Sequence, residues 1–196
     1  ARERYEPASW NLPDVAHPSR TPADTFPTPP HPRASVSSSQ EAPGERIQKL
    51  WRHLSPLPGG KWIFSRILGL MVPYTGSIGA RVETLEAGHV RVRVRDRRRI
   101  RNHLRSVHAI ALANLGEVTT GLALIGALGP EARGILTGLD VRYTKKARGV
   151  LEAEARCDVP TVTEALDRIV EAEIRDSAGD VVATVTAHWR LGPVKS

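Results

Sequence analysis

From residue 45 onward the apolar positions recur with a regular period. In ERIQKLWRHLS, Ile47, Leu50, Trp51 and Leu54 step by three and four, which predicts an amphipathic helix. SPLPGG breaks it, and KWIFSRILGLMVP predicts a second short helix ended by Pro73. The pair is expected to pack on the main domain, with a position at a membrane surface as the alternative. SIGARVETLE and GHVRVRVRD flank Ala87-Gly88 and predict a hairpin. In its second strand Val90, Val92 and Val94 alternate with Arg91, Arg93 and Arg95, so one face points inward and the other is cationic. The stretch from about Ser106 to Leu128 predicts the one long helix, ended by Gly129-Pro130. Four strands follow, in GILTGLDVRYTKKA, GVLEAEARCDV, LDRIVEAEIRD and DVVATVTAHWRLG. Two strands, one helix and four strands joined by short turns predict an α+β fold with an antiparallel sheet around a central apolar helix.

The first 44 residues carry no such period. Nine of the fifteen prolines lie between Pro7 and Pro43, among Ser, Thr and charge, so a disordered Pro-rich tail is expected over 1–44. The division that follows is tail 1–44, helical segment 45–73 and main domain 74–193. The tail lacks the apolar core of a secretory signal, and its acids argue against a transit segment. The chain opens at Ala1 rather than Met, which leaves room for an upstream targeting segment. No window reads as apolar for long enough to span a membrane. The single cysteine, Cys157, allows no internal disulfide and fits a reducing, cytoplasmic location. Its place in a strand pattern suits packing better than nucleophilic work. The seven histidines show no ligand spacing, so no metal and no cofactor are expected.

The net charge is +7, and Arg91 to Arg105 alone hold eight arginines against one aspartate. Such a field suits an anionic partner: cofactor phosphates, an acidic carrier protein or nucleic acid. The simpler reading is a solvated strand face and turn. Aromatics make up 5% of the chain and none interleaves these arginines, which argues against single-stranded nucleic acid.

The long helix is apolar nearly all round, so it is expected to be enclosed. Glu117 stands within it, where an unpaired carboxylate is costly. His108 and Glu117 are nine positions apart, half a turn out of phase and about 13 Å along the axis. They cannot meet on one straight helix. If they cooperate, the second partner comes from another copy across a two-fold axis.

Asn102, His108 six residues on and Glu117 nine further resemble the motif of the hot-dog fold thioesterases of the PaaI type. There Asn-x5-His-Gly-Gly is followed, seven residues on, by an acid. Gly138 and Tyr143 on the following strand fit the same pattern. The resemblance covers about Thr75 to Pro193 and is nearest a bacterial hot-dog branch known only as a domain of unknown function, with preceding segments like LPGGKWIFSRILG. It implies a hot-dog fold, an acyl-CoA or acyl-carrier thioester as substrate, and a homodimer or dimer of dimers. By the same resemblance Glu117 acts as general base or nucleophile. Asn102 holds water or the thioester, and His108 positions the thioester. The Ala109 N–H polarises its carbonyl at the positive end of the helix. Thr137, Gly138 and Arg105 are implied as substrate contacts. Arg97, Arg98, Arg99, Lys145, Lys146 and Arg148 are implied for coenzyme A phosphates. Ala109 and Ile110 replace the family's paired glycines, and Arg105 a residue often glycine.

Each residue also has a plain structural reading. Glu117 alone suits a buried ion pair, His108 a satisfied core histidine, and Asn102 a helix cap. Three functions therefore compete: thioester hydrolysis, non-catalytic binding of an acyl-CoA or acyl carrier, and nucleic-acid binding.

Overall fold

The computed structural model describes residues 43–194, so most of the expected tail lies outside the described residues. Three helices open the chain: α1 (Pro43–Leu54), α2 (Gly60–Met71) and α3 (Pro73–Ser77). Strands β1 (Arg81–Glu86) and β2 (His89–Arg95) precede the central helix α4 (Ala109–Leu124), which a 3-10 turn extends over Ile125–Ala127. Strands β3 (Ala132–Tyr143), β4 (Val150–Arg156), β5 (Leu166–Arg175) and β6 (Val181–Pro193) complete a six-stranded antiparallel sheet in the order β1-β2-β4-β5-β6-β3. α4 touches all six strands.

The alternation in β2 sorts as its pattern predicts. Val90, Val92 and Val94 are buried, whereas Arg91 and Arg93 point outward to Glu152 on β4, at 2.6 and 3.2 Å. Along α4, Leu115, Ala123 and Leu124 are fully buried. Gly116 lets the helix lie directly on β6, where a Cβ would overlap Val185.

Several boundaries differ from the sequence reading, each for a local reason. α1 begins at Pro43, since proline suits a first helical turn. A Cβ at Gly44 would sit 2.8 Å from the Ile125 carbonyl, so α1 rests against the end of α4. Pro73 ends α2 but also opens α3, which takes Ser77, expected at the start of a strand. β1 begins only at Arg81, because Gly79 turns the backbone at φ 66. α4 starts at Ala109, not Ser106. Val107 N–H and Ser106 Oγ both donate to the Ala147 carbonyl, at 2.8 and 2.9 Å, which holds them extended.

The helix is also less enclosed than expected. Ile110 is 54% exposed, and Ala113, Glu117 and Gly121, on the same stripe, are half-buried. By length and composition alone, residues 109–127 are apolar enough to cross a membrane, contrary to the sequence reading. They are mostly buried, and they form the core helix of the sheet.

The two edges of the sheet are treated differently. α2 covers the β1 edge: Val82 N–H donates to Ser65 Oγ at 2.9 Å and Lys61 Nζ donates to the Glu83 carbonyl at 2.6 Å. β3 forms the other edge with no strand beyond it among the described residues. A bare edge is a template for another chain.

Candidate active site

The approach to α4 is a tight loop. Asn102 Oδ1 accepts N–H bonds from Leu104 (2.9 Å) and Ser106 (3.1 Å), and the Asn102 N–H donates to the Ser106 carbonyl. An isolated bridge between Arg101 and Val107 closes the loop. Arg105 adopts φ 55, a left-handed conformation that costs a side-chain-bearing residue on the order of 1 kcal/mol and that glycine takes freely. Asp96 anchors the base of the loop, accepting from Arg101 Nε at 2.6 Å and from the Gly149 N–H at 3.3 Å. The Arg101 guanidinium holds the Asp96 carboxyl below its ordinary range, against burial, which pushes the other way.

His108 is the N-cap. Its Nδ1 accepts from the Ile110 N–H at 3.1 Å, so the neutral ring carries its proton on Nε2 and can donate outward. The Ala109 N–H, one of the orphan donors of a helix start, has no acceptor among the described residues. The Ala109 carbonyl accepts from Tyr143 Oη at 3.0 Å, which latches the first turn to the end of β3.

Glu117 stands two and a half turns further on, about 13 Å along the axis by helix geometry. Burial raises its carboxyl above the ordinary glutamate range, and its carboxylate makes no hydrogen bond or ion pair among the described residues. The structural reading of a buried ion pair therefore has no support among the described residues.

The structure thus gathers Asn102, Arg105, His108 and Ala109 at one end of α4 and leaves Glu117 apart on its partly open stripe. Thr137 is the extra residue of a bulge in β3, and its Oγ1 donates to the His188 carbonyl at 3.0 Å; Gly138 faces His188. Lys145 is committed to Asp176 and Asp180, and Arg148 donates to the carbonyls of Arg105 and Leu104. Arg98 and Lys146 are exposed, while Arg97 and Arg99 line a groove beside α2 and α3. Burial, aided by Asp158, pushes the Cys157 thiol up, away from reactivity.

One residue escaped the sequence reading. Asn114 is 6% exposed, its Nδ2 donates to the Tyr74 carbonyl at 3.1 Å, and its Oδ1 has no hydrogen-bond partner among the described residues. It shares a cavity of about 440 Å³ with His108, Ile110, Tyr74 and Arg99. The available signal was a second polar residue in an apolar helix, three positions before Glu117.

Residues 60–191 match a family described as a domain of unknown function, DUF4442. The chain belongs to this family. No protein of curated function matches it in sequence. Among solved structures, this DUF4442 chain is similar to a Pseudomonas aeruginosa protein of unknown function described as a probable thioesterase. The identity is 24%, the TM-score 0.62, and the match covers 70% of this chain and 97% of the other. It is also similar to a thioesterase family protein from Silicibacter pomeroyi (20%, TM-score 0.57, 66% and 96% covered). A Staphylococcus aureus thioesterase, solved as a mutant, shares 12% identity at TM-score 0.55, with 62% and 99% covered. At these identities the likeness carries the fold. The DUF4442 chain has the hot-dog fold, an antiparallel sheet packed on one long helix.

Proposed function

We propose that the protein hydrolyses an acyl thioester in a site built by two copies of the chain. Glu117 of one copy works with Asn102, His108 and Ala109 of the other. The observation that carries this reading is the Glu117 carboxylate itself, held on the core helix without a partner among the described residues and raised by burial. A base poised upward in this way suits proton transfer near neutral pH.

The bare β3 edge supports the second copy. Two such edges paired about a two-fold axis set two α4 helices antiparallel, so the start of each approaches the middle of the other. Glu117 then takes a proton from water as the water oxygen attacks the thioester carbonyl carbon. The Ala109 N–H donates a hydrogen bond to the developing oxyanion, strengthened by the helix N-terminus. Collapse breaks the C–S bond, and the proton held on Glu117 passes to the leaving thiolate, giving a free acid and a thiol. Asn102 has only its Nδ2 left to donate, since Oδ1 holds the loop. His108 donates from Nε2. Direct attack by Glu117 as nucleophile uses the same placement.

Ile110 favours a second reading, binding of an acyl ligand without turnover, because its exposed side chain stands at the helix start beside His108. Thiol release from short, medium, long and aromatic acyl-CoAs separates the two. Turnover with at least one is expected. Saturable binding with no turnover across the panel would overturn the hydrolase reading.

A further inference from the structure

A second cavity, of about 560 Å³, lies between α2, α3 and strands β1 and β2. Its wall holds six arginines, Arg66, Arg81, Arg93, Arg95, Arg97 and Arg99, against one carboxylate, Glu83. Arg81 and Arg93 lie 3.3 and 3.9 Å from Glu83, and Arg93 also reaches Glu152. Arg66, Arg95, Arg97 and Arg99 make no ion pair among the described residues.

The arginines converge rather than fan outward. A Cβ at Gly79 would lie 3.1 Å from Arg97 Nη1 and 3.2 Å from Arg99 Nη2, so both guanidinium groups are folded over the same glycine. Like charges brought together in a concave wall repel, and the field they focus is relieved by an anion. Guanidinium forks match phosphate oxygens two by two. Trp62, 58% exposed, stands in the same wall and offers a flat face to a base. The cavity shares Ser77 and Arg99 with the one that holds His108 and Asn114. A ligand seated on the arginines can therefore extend toward the start of α4.

We propose that this groove binds the phosphorylated nucleotide head of a coenzyme A thioester, its phosphates on Arg97 and Arg99 and its base against Trp62. The choice of nucleotide rests on the thioester reading of the α4 site; the anion site rests on the arginines. The groove is walled by helices on one side and strands on the other. That shape suits a small polyanion better than a flat membrane or a carrier protein.

The test is calorimetric and fluorescence titration of the full chain with adenosine 3′,5′-bisphosphate, coenzyme A and pantetheine. The bisphosphate and coenzyme A are expected to bind saturably, more weakly as salt rises, and pantetheine far less well. Arg97→Gln and Arg99→Gln are each expected to weaken binding about tenfold or more. Both should melt at the wild-type temperature or above it, because they relieve repulsion, an outcome that a merely structural role would reverse. Arg168→Gln, on β5, is the control. Failure of the bisphosphate to bind, or equal binding by the Arg97→Gln/Arg99→Gln double variant, would overturn the proposal. Binding to phosphatidylglycerol vesicles without binding of the bisphosphate would overturn it in favour of a lipid surface. If the bisphosphate binds and no thioester is hydrolysed, the groove stands and the hydrolase reading falls. If acyl-CoA is hydrolysed with a KM that neither variant moves, the reverse holds.

Discussion

Glu117→Gln is expected to lower thioester hydrolysis by about 10²–10⁴-fold, the usual share of a general base, in a chain that folds normally. Gln keeps the shape and loses the proton acceptor. The wild-type rate should show an acid limb with an apparent pKa above the ordinary glutamate value, because burial raises this carboxyl. The same shift has a stability consequence. The folded state holds the Glu117 proton more tightly than the unfolded chain does. Burial therefore costs nothing below the ordinary glutamate pKa. The cost grows as pH rises through the raised value and is complete above it. Glu117→Gln should accordingly melt higher than wild type near neutral pH, and the difference should vanish in acid. Thermal melts across pH 4 to 8 read this directly. A variant that melts lower at neutral pH would mean that the carboxylate is paired and structural.

Gly116→Val is expected to damage the fold itself. Gly116 is the point where α4 lies against β6, and an added Cβ would overlap both methyls and the Cβ of Val185, which is fully buried. Val185 pairs with Val141 and Ala172 on either side and cannot swing away. The helix must lift or β6 must bend. Overpacking of this kind costs about 1–3 kcal/mol, occasionally more. In a chain of this size that is about 2–12 °C in Tm. Glu117 is the next residue, so any helix that lifts also moves the carboxylate. An unchanged Tm would show that α4 and β6 are less tightly packed than Gly116 implies.

The parts of the fold that could be read from the sequence are those with a local period. Val90, Val92 and Val94 declare a half-buried strand, and the apolar run from Val107 to Leu128 declares a core helix. α3 was not legible, because Tyr74 to Ser77 carry no helical period. Proline at the first helical position sets that turn, and the contact of Gly69 with Gly76 holds it against α2. The bulge at Thr137 was equally hidden, since only the register with β6 reveals it. Within the site, Asn102, His108 and Glu117 stood out by spacing. Asn114 passed for helix filler, although its buried Oδ1 has no donor among the described residues. The arginine run read first as a solvated face, and the structure divides it. Arg91 meets Glu152 on β4, Arg93 reaches Glu152 from the wall of a groove, and Arg95, Arg97 and Arg99 join Arg66 and Arg81 in that groove. That division depends on α2 and β1 meeting far from the run in sequence, so no local pattern could show it.

The central claim is that one site draws on two chains. Its most direct test mixes two inactive variants, His108→Ala and Glu117→Gln, unfolded together and refolded so that copies reassort. In mixed dimers one of the two sites then receives both wild-type residues. Recovery to about a quarter of wild-type hydrolysis is expected from random pairing. If each site is built within a single chain, every site in the mixture lacks one residue. Activity that stays at the level of the separate variants would contradict the account.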